Sequence, residues 1–257
     1  MSKYASLIEA IFKAHYNEGV TSFEFTREEI IAQAKRLRIA LPKNVGDVIY
    51  SFRYRKEFPA SILSTCGENE AWVIEGIGKA KYLFRKTTNG WIEPELDHYQ
   101  IKIPDATPEI IERYALSDEQ ALLAKVRYNR LIDTFLGITT YSLQNHLRTQ
   151  VKGIGQIEVD ELYVGINKDG TQFIIPVQAK GGNDKIGVVQ IRQDIRFCAE
   201  RYPQLVCRPV AVQFKGSNVI AMFLLELQDE ELRMVDERHY KLVPNEEITD
   251  EELRVRT

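Results

Sequence analysis

The amino-acid sequence predicts an α/β protein with two folded parts, and three observations lead to this prediction. In the first part, helical spacing of apolar residues and helix-start patterns predict three short helices over residues 4–17, 26–38 and 45–56. Two segments rich in aromatic and branched residues follow, on either side of Gly76-Ile-Gly-Lys79, and predict a β-hairpin. In the second part, the order helix, strand, strand, helix, strand is typical of a central mixed sheet flanked by helices, with one crossover.

The first part resembles a winged-helix domain, in which three helices are followed by a β-hairpin. Thr26-Arg-Glu-Glu29 has the pattern of a capping box at the start of the second helix. The resemblance implies that the third helix and the tip of the hairpin contact DNA. Basic residues on a helix can also form an ordinary solvated face, but their place on the third helix favours DNA contact. The predicted contacts here are Lys43, Asn44, Arg53, Arg55, Lys56, Lys79 and Lys81.

The domain boundaries are predicted from a proline-rich segment. Residues 94–108 contain three prolines with acidic residues between them, which is typical of a connector. We therefore expect a winged-helix domain over residues 1–93, a connector over 94–116 and a second domain over 117–257. The expected elements of the second domain, besides a hairpin, are helices over 117–135, 141–151 and 184–201, a strand over 209–214, and a short apolar run over 219–226 that fits a strand or a helix.

Residues 155–180 predict a β-hairpin that carries acids on one strand and Gln-x-Lys on the other. Asn167-Lys-Asp-Gly170 fits a three-residue loop with Gly170 in the left-handed conformation, so that Asn167 pairs with Thr171. This register places Asp160 across from Gln178 and Glu158 across from Lys180, all on one face. Such a group can hold a hard divalent cation and place an ammonium beside a phosphate. A loop of two or four residues would instead put Glu161 in the place of Asp160.

This hairpin resembles the active site of the PD-(D/E)xK nucleases, which carry an acid on one strand and (Asp/Glu)-x-Lys on its neighbour. Asp160 matches the first acid, and Gln178-Ala179-Lys180 matches the tripeptide, with Gln in place of the usual acid. The wider run from Tyr128 to about Gln213 resembles the catalytic part of a type II restriction endonuclease. The resemblance implies a restriction-endonuclease-like second domain that hydrolyses phosphodiester bonds of duplex DNA with Mg²⁺, as part of restriction-modification defence.

The resemblance also implies a role for each matching residue. Asp160, the side-chain oxygen of Gln178 and the carbonyl of Ala179 would hold Mg²⁺, and Lys180 would orient the attacking water or stabilise the phosphorus. Glu158 can supply the negative charge that Gln178 lacks. Two further candidates lie one turn apart on the following helix and are either DNA or supporting contacts or an ordinary solvent-facing surface: Gln190 and Gln193. Palindromic targets would favour a homodimer on double-stranded DNA.

Bulk properties and missing motifs restrict the remaining function classes. The 257 residues carry a net charge of −3, which argues against a purely electrostatic nucleic-acid binder. Three cysteines without metal-type spacing and no long apolar run predict a soluble, cytoplasmic protein with no membrane contact. Acyl transfer, NTP hydrolysis and hydride transfer have no motif, and His98 and His146 are isolated in the sequence. Two alternatives remain: a structure-specific repair or recombination nuclease, and a DNA-binding regulator whose nuclease-like domain is inactive because of Gln178.

Overall fold

The structure is a computed structural model that describes residues 3–54, 56–114, 119–181, 184–215 and 218–254. It is an α/β protein with a large mixed sheet flanked by helices. The chain divides into two compact units, and each is described by itself. Unit 1 comprises Met1–Ile92, Thr149–Ile157 and Gly187–Gln193, and unit 2 comprises Glu93–Arg148, Glu158–Ile186 and Asp194–Thr257. Within the described ranges, no helix combines the length and the apolar character needed to cross a membrane.

Unit 1 begins with an amphipathic helix, because Leu7, Ile8 and Ile11 lie on one side and are fully buried. The predicted capping box is present at the next helix. The Glu29 N–H donates to the Thr26 hydroxyl at 3.3 Å, and the Thr26 N–H donates to Glu29 Oε1 at 2.9 Å. The elements up to residue 92 are α1 (Lys3–His15), β1 (Ser22–Thr26), α2 (Arg27–Arg36), α3 (Gly46–Tyr54), α4 (Ala60–Leu63), β2 (Ala71–Gly78), β3 (Lys81–Thr87) and β4 (Trp91–Ile92).

The strands of unit 1 form a three-stranded antiparallel sheet in the order β1-β3-β2. The core beside this sheet is aromatic: the ring of Phe12 meets the rings of Trp72 and Phe84 edge to face, with centroids 5.1 and 5.5 Å apart. The three predicted helices and the predicted hairpin are confirmed. The sequence does not predict β1 or α4, since both are short and neither has a long periodic pattern.

Unit 2 contains most of a sheet with the strand order β5-β13-β12-β11-β8-β7-β6. The pairing of β8 with β11 is parallel, and α8 connects the two strands. The remaining strands and α-helices of the chain are β5 (Gln100–Pro104), α5 (Glu109–Tyr114), α6 (Glu119–Tyr128), α7 (Leu131–Leu136), β6 (Thr139–Val151), β7 (Gly155–Ile166), β8 (Gln172–Lys180), β9 (Ile186–Gly187), α8 (Val188–Arg201), β10 (Val206–Cys207), β11 (Val210–Phe214), β12 (Val219–Gln228), β13 (Glu231–Val243) and α9 (Asp250–Leu253).

The hydrophobic core of unit 2 lies between one face of this sheet and the helices α6 and α7. Leu122 and Val126 from α6 pack with Val177, Val212 and Met222 from three neighbouring strands, and all five side chains are buried. Because side chains alternate along a strand, residues next to these core positions lie on the opposite face of the sheet. Gln178 and Lys180 are such residues, because they flank Ala179, which also belongs to this core.

The predicted hairpin of β7 and β8 is confirmed, including its register. The Asn167 N–H donates to the Thr171 carbonyl at 3.1 Å, and Gly170 has a φ of 81°, which the loop requires and glycine adopts without strain. The antiparallel ladder runs from Ile166 opposite Gln172 to Glu161 opposite Val177. This register is the one predicted from the three-residue loop.

Two predictions about secondary structure need correction. The helix predicted over 141–151 is wrong, because these residues belong to β6, an edge strand with mostly exposed side chains. An exposed edge strand carries no apolar alternation, so its sequence is easily mistaken for a polar helix. The segment predicted as a connector contains β5, which pairs in parallel with β13, and the helix α5.

The remaining differences concern how elements begin and which strands form. Helix α8 begins at Val188, four residues after the predicted start. The apolar run over 219–226 is a strand, since β12 pairs with both β11 and β13. β13 and the short β10 have no counterpart in the prediction. The predicted helix start at Ser117 lies outside the described residues.

Candidate functional site

The two neighbouring acids of β7 lie on opposite faces of the sheet. Glu161 is fully buried and faces α6, and its Oε1 lies 3.0 Å from Nε of Arg127 on that helix. The same oxygen accepts a hydrogen bond from the hydroxyl of Ser142, on β6, at 2.8 Å. Asp160 therefore lies on the face that also carries Gln178 and Lys180. This is the arrangement predicted from the loop length, and the alternative with Glu161 in the site does not occur.

The backbone ladder between β7 and β8 gives way to side-chain hydrogen bonds beside Asp160. The Ala179 N–H donates to Asp160 Oδ2 at 2.8 Å, and Gln178 Nε2 donates to the Glu158 carbonyl at 2.9 Å. Burial raises the pKa of Asp160, while the Ala179 N–H and the Lys180 ammonium lower it in part. A partly buried carboxylate with a raised pKa is stabilised by any cation that binds beside it.

The side chain of Gln178 is buried and held in one orientation. Its Nε2 also donates to Asp194 Oδ2 at 2.9 Å, so both amide hydrogens have acceptors. Its Oε1 is buried without a hydrogen-bond partner among the residues that the structure describes. A buried carbonyl oxygen without a partner costs free energy, and a bound cation or water would remove that cost.

Asp194, on α8, is a member of this site that is not predicted from the sequence. It is fully buried, and burial raises its pKa well above the ordinary value, with the nearby Asp160 carboxylate acting in the same direction and the Gln178 hydrogen bond opposing it. A signal is present in the sequence, because Asp194 falls at helical spacing between Ile191 and Cys198, which are both buried. An acid within an apolar helical stripe indicates a specific partner.

Lys180 ends β8 and lies close to a second acid that the sequence analysis does not predict. Its Nζ is 3.8 Å from Glu119 Oε1, at the first residue of α6, and its side chain is largely buried. Glu119 also raises the pKa of Asp160 by charge repulsion, after the larger effect of burial. The ammonium thus lies near the carboxylates of both Asp160 and Glu119.

The side chain of Glu158 is half exposed and interacts with two side chains of β6. Its carboxylate oxygens lie 3.2 Å from His146 Nε2 and 3.3 Å from Arg148 Nε. The backbone of Glu158 supports Gln178, as described above, whereas the carboxylate is already paired. His146 lies on this edge strand and not on a helix as predicted.

The predicted DNA contacts of unit 1 fall into two groups. Two side chains have structural partners: Asn44 bonds Gly46 N–H and Asp47 at the start of α3, and Arg53 Nε donates to the Ile74 carbonyl at 2.8 Å. Arg55 lies outside the described residues. The exposed basic residues are Lys43, Lys56, Lys79 and Lys81.

The two glutamines predicted on α8 do not form a solvent-facing pair. Gln190 is partly buried and Gln193 is buried. The interpretation of these residues as an ordinary exposed helix surface therefore does not hold.

A comparison with protein-family models, with curated proteins and with solved structures found no match for this chain.

Proposed function

We propose that this protein is an Mg²⁺-dependent endodeoxyribonuclease that hydrolyses phosphodiester bonds at specific sites in duplex DNA, as restriction endonucleases do. The observation that carries the proposal is the position of Asp160, Gln178 and Lys180. They share one face of two adjacent strands where side-chain hydrogen bonds replace the ladder. The order of elements gives further support, because helix, three neighbouring strands, helix and a parallel strand also describes the core of the PD-(D/E)xK nucleases that the hairpin resembles.

The residues of this site fit a hard divalent cation. Asp160 offers a partly buried carboxylate, Gln178 offers a buried carbonyl oxygen without a partner in the described part of the chain, and the Ala179 carbonyl is the third predicted ligand. Bound Mg²⁺ would neutralise charge on the scissile phosphate and lower the pKa of a water molecule.

Each surrounding residue has a task in this proposal. Asp194 and the Glu158 carbonyl hold the Gln178 amide so that its oxygen keeps one direction. Lys180 donates a hydrogen bond to the phosphate or to the attacking water. Glu119 keeps the ammonium in place.

Unit 1 supplies the proposed DNA-binding surface. Its order of helix, strand, three helices and hairpin supports the assignment as a winged-helix domain. The exposed Lys79 and Lys81 at the hairpin turn, together with Lys43 and Lys56 near the ends of α3, would contact phosphates. A homodimer on palindromic DNA remains part of the proposal, since two-fold protein symmetry matches two-fold DNA symmetry.

A cleavage assay on plasmid and linear DNA tests the proposal. We expect discrete fragments with Mg²⁺ and none with a chelator. Protein with Asp160→Asn, purified in the same way, controls for contaminating nucleases. Random degradation, or equal cleavage by the variant, would contradict the proposal.

A second candidate is a DNA-binding regulator with an inactive nuclease-like site. It is favoured by Gln178, whose amide brings no charge and is held by Asp194. DNA binding without cleavage at any Mg²⁺ concentration would support this candidate. Cleavage of branched DNA alone would support a structure-specific repair nuclease.

A further inference from the structure

A second group of ligating side chains lies in unit 2, at the loop that precedes β5. One ligand atom from each of Glu95, His98 and Glu237 lies within 4.8 Å of the other two. His98 Nδ1 is 3.0 Å from Glu95 Oε2, and the Glu95 N–H donates to Glu237 Oε1 at 2.8 Å. The loop and β13 therefore bring two carboxylates and one imidazole to one point.

A fully buried histidine, His239, forms a hydrogen bond with this group and packs against it. His239 Nε2 lies 2.7 Å from Glu237 Oε1, and the rings of His239 and His98 have centroids 4.7 Å apart. The other ring nitrogen of His239 has no hydrogen-bond partner among the described residues. Buried polar atoms are rarely left without partners in folded proteins, so we expect a water molecule beside this nitrogen, while Nε2 holds the Glu237 carboxylate.

We propose that Glu95, His98 and Glu237 bind a divalent transition-metal ion of the zinc class, and that His239 orients Glu237. Imidazole nitrogen and carboxylate oxygen are ligands that Zn²⁺ accepts, at about 2.0–2.2 Å in a tetrahedral arrangement. Mg²⁺ prefers ligand sets made of oxygen, so the imidazole favours a transition metal. Three protein ligands leave one position for water, and the hydrogen bond from His239 to a ligand carboxylate is typical of supported metal sites.

Lys215 is the main opposing charge, and it also shapes the loop. Its Nζ donates to the carbonyl of Leu96 at 2.6 Å and to the carbonyl of Glu95. These bonds fix the backbone that carries the Glu95 and His98 ligands. Its positive charge lowers the affinity for any cation, and the two carboxylates offset that effect.

The proposed metal site is separate from the candidate catalytic site. Successive strand partners connect the two across the sheet: Lys180 pairs with Gln213, Gln213 with Ala221, and Ala221 with His239. Three interstrand spacings amount to about 14 Å. Two ions that act on one phosphate lie about 4 Å apart, so this ion cannot take part in the proposed cleavage step. It would instead tie the loop to β13, directly before β5 joins the sheet at Gln100 opposite His239.

Calorimetric titration of the metal-free full-length chain with Zn²⁺ tests this proposal without any measurement of cleavage. For the wild type, we expect one Zn²⁺ bound per protein chain at this site. We also expect Zn²⁺ to raise the melting temperature. Loss of a residue that only hydrogen-bonds a metal ligand typically lowers metal affinity by roughly 10- to 100-fold. His98→Ala and Glu95→Gln each remove a ligand, so each should lower the Zn²⁺ affinity by more than that. Both side chains are at or near the surface, so the variants should fold, which circular dichroism without metal would verify.

The matched control is His15→Ala. His15 Nε2 lies 2.5 Å from Glu29 Oε2 in unit 1, so it is a histidine–glutamate pair that does not belong to the group described above. Zn²⁺ binding should be unchanged in this variant. Absence of Zn²⁺ binding by the wild type, equal binding by His98→Ala, or displacement of Zn²⁺ by millimolar Mg²⁺ would each overturn the proposal. Failure of the cleavage assay would leave it unaffected.

Discussion

Two acidic groups of unit 2 differ in the nitrogen-bearing groups that accompany the carboxylates. Around Asp160, the neighbours are the ammonium of Lys180 and the backbone N–H of Ala179. Around Glu237, the partners are the imidazoles of His98 and His239. An ammonium can approach a phosphate but cannot bind a metal while protonated, whereas a neutral imidazole can bind one. We therefore propose phosphate hydrolysis at the first group and transition-metal binding at the second.

The two groups also differ in how far apart their residues lie in the sequence. Asp160 and Lys180 belong to one hairpin, so loop length and side-chain alternation are enough to predict that they lie together. Glu95 and Glu237 are 142 residues apart and meet only because β5 and β13 are neighbours in the sheet. Sequence patterns give no signal for such a meeting, which is why His98 is isolated in the sequence but not in the fold.

Asp160→Asn should have the largest effect, because it should stop cleavage without affecting the group around Glu237. The amide oxygen can keep the hydrogen bond from the Ala179 N–H, but the negative charge is lost. Cleavage should fall by at least about 10³-fold, equivalent to about 4 kcal/mol of transition-state stabilisation, as measured by single-turnover rates. Zn²⁺ binding should be unchanged.

The control for this variant is Asp169→Asn, which removes a charge from the exposed turn of the same hairpin and should change neither property. Near-wild-type cleavage by Asp160→Asn would exclude Asp160 from the chemistry. Loss of Zn²⁺ binding in the same variant would show that the two groups are not independent.

Lys180→Met should affect rate and metal affinity in opposite directions. Cleavage should fall by about 100-fold, because one preorganised donor to the developing charge is lost. Mg²⁺ should bind more tightly, since the positive charge near Asp160 is removed. Fluorescence or calorimetric Mg²⁺ titration measures the second effect. Weaker Mg²⁺ binding in the variant would mean that Lys180 supports the fold of the site and does not act on the phosphate.

How much of the molecule the sequence predicts depends on whether the signal is local. The helices of unit 1, the hairpin and the faces of Asp160 and Glu161 follow from spacing and turn residues. The strand β6 has the sequence of a polar helix because an exposed edge strand lacks apolar alternation. Asp194 and Glu119 escape prediction because their partners, Gln178 and Lys180, lie on other elements and become neighbours only by packing.

Gln178→Glu tests the orientation of the amide and is expected to destabilise the protein. A carboxylate at this position would face the Glu158 carbonyl and Asp194 with no hydrogen to donate. Loss of satisfied buried hydrogen bonds costs about 1–3 kcal/mol, which denaturant unfolding would measure. Adding Asp194→Asn supplies a new amide donor, so the double variant should recover part of the stability and require less Mg²⁺ for cleavage. Additive losses in the double variant would show that residues 178 and 194 are not coupled.

The smallest expected effect is a change in how stability depends on pH, in a metal-free buffer with chelator. Burial raises the pKa of Asp194 well above its unfolded value, and the groups that act on it are Gln178, Asp160, Cys207 and Lys180. Between the unfolded and the folded pKa, the folded protein holds a proton that the unfolded chain has released. The free energy of unfolding therefore falls with rising pH in that window, by at most about 1.4 kcal/mol per pH unit. Asp194→Asn does not titrate, so its stability relative to wild type should increase as pH rises through the window and then become constant. The variant Asp169→Asn should follow the wild-type curve. If Asp194→Asn also ran parallel to wild type, Asp194 would titrate normally, which would contradict its burial beside Gln178 and Asp160.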